Sequence, residues 1–183
     1  DGSTSEFSAL HPGVPQGAIL SPLLFSVYMN DIPFADSTNL FADNTSFCIA
    51  ASSPTTLCAS LQERTDGLSS WFSKWLLTIN SGKSAVIVFR SRKMQPVDVK
   101  ITVGQSVIQQ VASHRHLGII FNETLTWSDH VAHIVAKASA KIGFLRRLGK
   151  RLDALVMRDL YSCCIRPALE YASVVWAGLT TRD

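Results

Sequence analysis

The sequence predicts an α+β fold, and three observations carry that prediction. Apolar residues recur at helical spacing over several long stretches, short runs of β-branched and aromatic residues lie between them, and Gly, Pro, Asn and Ser cluster at the junctions. With 183 residues and 46% hydrophobic content, the chain can form one globular unit with a sizeable core, or two small ones.

Each element has its own justification. Residues 13–21 form a Gly/Pro loop, and Ser21-Pro22 then starts a helix with the hydroxyl as N-cap and Pro in the first turn. Leu23, Leu24, Val27 and Tyr28 share one stripe of that helix, and Pro33 is its expected stop. Residues 39–49 read as a hairpin whose turn is Asp43-Asn44, two residue types that tolerate left-handed backbone. From Ser53 the period lengthens, and Leu57, Leu61, Leu68, Phe72, Trp75 and Ile79 build one broad helical face. NSGKS ends it, and AVIVF follows as a buried strand. VKITV and HLGIIF are two more strands, with a turn near Gly104. Val131, Ile134, Val135, Ala138, Ile142 and Leu145 then form a helical stripe. A last helix runs from about Asp153 with Leu155, Leu160, Tyr161 and Cys164 inward, and Pro167 is expected to kink it.

Charge is divided unevenly along the chain. Residues 1–82 carry two basic groups against seven acidic ones, net −5, whereas residues 83–183 carry fifteen against seven, net +8. Such a division suits a cation-binding front and an anion-binding back, nucleic acid being the commonest anion, although a solvated helix face has the same composition. No apolar run approaches the roughly 20 residues of a membrane span, and no charged-then-apolar leader opens the chain. The opening DGSTSEFSALHPGVPQG begins without Met, so a piece of a longer product is expected. Cys48, Cys58, Cys163 and Cys164 form no C-x-x-C pair, which fits free thiols in a reducing compartment.

Five blocks occur in a telling order. GVPQGAILSPLLF (13–25), LFADNT (40–45), WFSKWLLTINSGKSAVIVF (71–89), HRHLGIIFNETLTWSDH (114–130) and CIRPALEYASVVW (164–176) together resemble the reverse transcriptases of non-LTR retrotransposons. That family reads G-V-P-Q-G-S-x-L-S-P and then Y-A-D-D-T, so Ala18 replaces Ser, Phe41 replaces Tyr and Asn44 replaces the second Asp. The resemblance implies an RNA-directed DNA polymerase: a partial palm over residues 1–122 with a primer-grip-like hairpin, and a helical thumb-like region over 123–183.

The same resemblance assigns residues. Asp43 stands at a metal-binding position for Mg2+ (or Mn2+), since hard cations that activate a primer hydroxyl and neutralise a triphosphate take carboxylate oxygens. Asn44 offers only a neutral amide oxygen and weakens that site, as in a decayed, inactive remnant that at most binds nucleic acid. The family's other metal-binding Asp precedes the G-V-P-Q-G block, and Asp31 and Asp36 do not substitute for it. Pro15, Gln16 and Gly17, with Phe41 and Ala42, stand at the template and incoming-nucleotide positions, and Lys83 stands where the family places a basic residue that neutralises or protonates the leaving pyrophosphate. His116, Leu117 and Gly118 stand where the primer-grip hairpin of the family reads Y-L-G, with His116 replacing the aromatic. Lys137, Lys141, Arg146, Arg147 and Lys150, with Arg151, would meet nucleic-acid phosphates, a solvated helix face being the plainer alternative. His114, His116, His130 and His133 make a poor zinc site, and Trp71, Trp75, Trp127 and Trp176 read as core anchors. Implied partners are an RNA template, a DNA primer, deoxynucleoside triphosphates, and the upstream palm and fingers with an endonuclease domain of one polyprotein. The implied setting is intracellular, a cytoplasmic ribonucleoprotein and the nucleus.

Overall fold

A computed structural model describes residues 13–149 and 152–176. The chain divides into two compact units, residues 1–79 and 80–183, and helix and sheet are mixed as the α+β reading expects. No helix among the described residues is long and apolar enough to cross a membrane.

The first unit contains helix α1 (Ser21–Tyr28), strands β1 (Thr38–Phe41) and β2 (Asn44–Phe47), and helix α2 (Pro54–Lys74). Ser21 does not cap α1. Its hydroxyl instead donates to the Pro15 carbonyl at 2.6 Å and ties the preceding loop to the helix start. The helix also ends before Pro33 can stop it, in a turn where the Asn30 N–H meets the Val27 carbonyl and the Ile32 N–H the Met29 carbonyl.

The buried face of α1 differs from the expected one. Leu23, Leu24 and Val27 are more than half exposed, while Met29 and Ile32 are buried against Leu68 of α2, with Phe25, Tyr28, Phe47, Trp71, Phe72 and Leu77 around them. The cause is that α1 is apolar on two faces: residues 20, 23, 24 and 27 form one stripe, and 25, 28, 29 and 32 continue another. Periodicity cannot choose between two apolar stripes; contact with α2 does.

α2 starts as expected, with the Thr56 N–H donating to the Ser53 hydroxyl. It stops earlier than its apolar stripe suggests. Leu76 turns left-handed (φ 57°), its N–H bonds the Ser73 carbonyl, and the Leu77 N–H reaches back to the Phe72 carbonyl at 2.7 Å. These paired bonds close a helix end that glycine usually provides. Trp75 and Ile79 therefore lie beyond the helix, and the Trp75 carbonyl accepts from the Tyr28 hydroxyl.

The second unit starts with a three-stranded sheet ordered β3 (Ala85–Val86), β5 (Ser106–Gln110), β4 (Ile101–Val103), parallel between β3 and β5 and antiparallel between β4 and β5. Gly104 (φ 57°) makes the β4–β5 turn. Only two residues of the expected AVIVF strand are paired, and β5 was hidden by its mixed polar sequence. Val99, Ile101 and Ile108 are buried, and the Gln110 amide links the Val99 N–H to the Val97 carbonyl.

HLGIIF is not one strand. It straddles the turn of a hairpin, β6 (Ser113–His116) to β7 (Ile119–Asn122), with Leu117 and Gly118 at the bend. Helix α3 (Ser128–Leu148) packs on β7 and buries His130, Ala138 and Leu145. Val135 (50% exposed) and Ile142 (37%) leave the expected stripe. Helix α4 (Ala154–Leu160) continues through a π-helical turn (Tyr161–Ile165) into α5 (Arg166–Glu170) and the short α6 (Ser173–Trp176). Pro167 lacks an N–H and crowds the preceding turn, and the widened π-turn is how the helix accommodates it. That rotation brings Ile165, Met157, Leu160 and Leu169 onto α3, whereas Leu155, Tyr161 and Cys164, expected inward, are exposed.

Candidate functional site

The hairpin β1–β2 is made by a two-residue turn, but its register differs from the expected one. Phe41 pairs with Asn44, so Ala42 and Asp43 are the turn and Asn44 opens β2. Thr38 faces Phe47 across the ladder, and placing Phe47 in the core demands that register. Ala42 consequently takes the left-handed angle (φ 52°) in place of the Asp or Asn better suited to it. Asp43 is exposed at the tip, and no side-chain hydrogen bond reaches it among the described residues. A carboxylate held on a short hairpin and free of internal partners can serve an external cation.

The loop before α1 is equally open. Pro15, Gln16 and Gly17 are exposed, Gly17 is left-handed (φ 84°), and a Cβ built there would meet nothing within 4 Å. Its shape is held by the Ala18 N–H on the Pro15 carbonyl and by the Ser21 hydroxyl. A flat ligand can lie against such backbone without displacing a side chain.

In the second unit, Lys83 is exposed in a turn where its backbone N–H bonds Asn80. His116 is half-buried at the end of β6, and Leu117 (φ 47°) and Gly118 (φ 86°) both take left-handed angles. The Tyr171 hydroxyl donates to the Leu117 carbonyl at 2.9 Å. On α3, Lys137, Arg146 and Arg147 are exposed, and the Arg147 guanidinium stands 6.0 Å from the Phe144 ring centre. Lys141 departs from the solvent-facing set: its ammonium donates to the Cys164 carbonyl at 2.6 Å and helps fix the π-turn. Lys150 and Arg151 lie outside the described residues.

His130, weighed in the sequence only as a member of a poor zinc site, has a packing role that sequence reasoning missed. It is 1% exposed, its Nδ1 accepts the Ile120 N–H at 3.4 Å, and its Nε2 has no partner among the described residues. Burial pushes its imidazole below the ordinary value, and His133 and Arg115 push the same way. A histidine at a stripe position of α3 was the available signal. The tryptophans, by contrast, are packed as expected: Trp71 and Trp75 lie 6.0 Å apart beside Tyr28, Trp127 packs edge-on with Phe121, and Trp176 with His130. All four cysteines are free.

The donor set falls short of a complete divalent-cation centre. Among the described residues no group of three or more His, Cys, Asp or Glu comes together. Asp43 supplies one hard carboxylate and Asn44 one neutral oxygen, which by themselves do not hold the two ions that nucleotidyl transfer uses.

Residues 1–121 match the family described as reverse transcriptase (RNA-dependent DNA polymerase). The chain is 25% identical to the probable RNA-directed DNA polymerase from transposon BS of Drosophila melanogaster, over 91% of this chain and 20% of that protein. It is 26% identical to the RNA-directed DNA polymerase from mobile element jockey of Drosophila funebris, over 100% of this chain and 21% of that protein. It is also 26% identical to the probable RNA-directed DNA polymerase from transposon X-element of Drosophila melanogaster, over 90% and 19% respectively. The chain thus spans about a fifth of the length of these curated relatives. No solved structure matches.

Proposed function

The chain belongs to the reverse transcriptase family, and we propose that it forms part of the nucleotidyl-transfer core of a non-LTR retrotransposon RNA-directed DNA polymerase. Residues 1–122 act as part of the palm and residues 123–183 as the thumb-like region. One observation carries this reading: within the family-matched segment, Asp43 stands exposed at the tip of a two-residue hairpin, with no side-chain hydrogen bond among the described residues.

Divalent cations, magnesium or manganese, lower the charge barrier to nucleotide addition in this class of reaction. Asp43 contributes one carboxylate to that site, and the remaining ligands come from the rest of a longer polymerase. The open backbone at Gln16 and Gly17, with Phe41 and Ala42, accepts the template base and the incoming nucleotide. Lys83 meets the leaving pyrophosphate. The turn at His116, Leu117 and Gly118 meets the primer, and Lys137, Arg146 and Arg147 hold duplex phosphates without reading sequence. Lys141 stabilises the π-turn instead of the duplex.

Asn44 favours a second reading, a copy with little or no polymerase activity that still binds nucleic acid. One chimera separates the two: this segment placed in the matching fifth of the jockey polymerase. Under the first reading the chimera extends a DNA primer on RNA with magnesium, Asn44→Asp raises the rate, and Asp43→Ala lowers it at least about a hundredfold. A chimera that stays inactive with Asn44→Asp, yet binds duplex, establishes the second. Binding is read by anisotropy: log affinity should fall with log salt at about −0.9 per phosphate contact. Replacing Lys137, Arg146 and Arg147 by Gln should flatten that slope; an unchanged slope would make the cluster a solvated helix face and remove it from the proposed duplex contact.

A further inference from the structure

The β6–β7 turn is held from outside by Tyr171, a residue to which none of the motif assignments gives a role. The Tyr171 ring lies over Gly118, where an added Cβ would come within 3.1 Å of its Cε1, and the Tyr171 hydroxyl donates to the Leu117 carbonyl at 2.9 Å. Tyr171 is itself fixed twice: its N–H bonds the Pro167 carbonyl at 3.0 Å, and its carbonyl accepts the Trp176 indole N–H at 3.2 Å. The left-handed Ala172 (φ 51°) turns the chain between Tyr171 and Trp176. Trp176 packs edge-on with His130, 6.1 Å between ring centres, and His130 accepts the N–H of Ile120 in β7. Thus the last helices grip the hairpin at its turn through Tyr171 and at its strand through Trp176 and His130.

The turn is strained in its own backbone. Leu117, a branched residue, takes φ 47°, an angle that side chains with a Cβ adopt only at a cost.

We infer that Tyr171 is a positioning residue for the His116-Leu117-Gly118 turn, holding that turn in the shape that meets a recessed primer 3′ end. This rests on the proposed reading of the hairpin as the primer-contacting element. Tyr171 does not itself touch nucleic acid; it restricts the turn to the one conformation competent to bind. Its removal therefore taxes affinity for a primer end by the fraction of time the turn spends elsewhere.

The test uses the 183-residue chain and two labelled RNA–DNA duplexes, one with a recessed DNA 3′ end and one closed at both ends by loops. The parent chain should prefer the recessed end. Tyr171→Phe keeps the ring on Gly118 and removes only the hydroxyl, so the fold persists. It should weaken binding of the recessed duplex about fivefold, the scale of one hydrogen bond, and leave binding of the closed duplex unchanged. Amide exchange at Gly118 and Ile119 should quicken in the same variant, a readout independent of nucleic acid. Unchanged end preference in Tyr171→Phe overturns the positioning role even though the proposed function stands. If the parent binds both duplexes alike, the primer-contact reading has failed, and the positioning role goes with it.

Discussion

Two hairpins, β1–β2 and β6–β7, solve the same local problem in different ways. Each closes in two residues, and each forces a left-handed angle on a residue other than glycine, Ala42 in one and Leu117 in the other. At the first, nothing among the described residues hydrogen-bonds the Asp43 side chain, and the tip is open. At the second, Tyr171 covers the turn and His130 receives a β7 amide. The first turn is free to present a carboxylate to something outside the unit. The second is shaped by its own unit, so its geometry depends on a residue 54 positions away.

That contrast can be broken at the clasped turn first. Gly118→Ala places a Cβ at φ 86° and 3.1 Å from the Tyr171 ring, so angle and contact are both penalised. The second unit should lose about 2 kcal/mol or more, measured by urea unfolding. A loss under about 0.5 kcal/mol would mean that Tyr171 yields and clasps nothing.

Acidity should act on the same hairpin and spare the other. The folded-state value of His130 is lowered, chiefly by burial and then by His133 and Arg115, while the unfolded value stays near 6.5. Below about 6.5 the unfolded chain therefore binds the proton more readily, so stability present above that pH is lost as pH falls toward the folded value. One proton limits the slope to about 1.4 kcal/mol per pH unit. Protection of β7 amides should drop as pH falls below about 6.5 while that of β1–β2 holds, and His130→Gln should flatten the response. Equal loss in both hairpins would show that titration elsewhere dominates.

The smallest expected effect is at the open turn. Ala42→Gly removes about 1–2 kcal/mol of left-handed cost but adds unfolded-state freedom of about 0.5–1 kcal/mol. A net gain of about 0.5 kcal/mol is expected in thermal unfolding of the first unit. A loss instead would show that the Ala42 methyl makes a contact that outweighs its backbone cost.

Much of the chain was legible from residue order, because its signals are local. The α+β class, the start of α2 at Ser53-Pro54, a helix irregularity beside Pro167, the packed tryptophans and the hairpin at 39–49 all follow from capping, proline sterics and periodicity. Asp43 as the exposed candidate ligand was legible too, and the five ordered blocks pointed to the family that the comparison with known proteins shows.

What only tertiary structure decided concerns choices between local options of similar energy. The two apolar faces of α1 are alike in sequence, and packing against Leu68 selected Met29 and Ile32 over Leu23, Leu24 and Val27. The turn at 42–43 is one residue earlier than Asp and Asn would prefer, because Phe47 must reach the core and a strand slip would turn it outward. Lys141 left the solvent-facing set because a π-turn put the Cys164 carbonyl within its reach. His130 and Tyr171 are separated from the hairpin residues they bond by 10 and 54 positions, and a hydrogen bond of that span leaves no periodic trace in the chain.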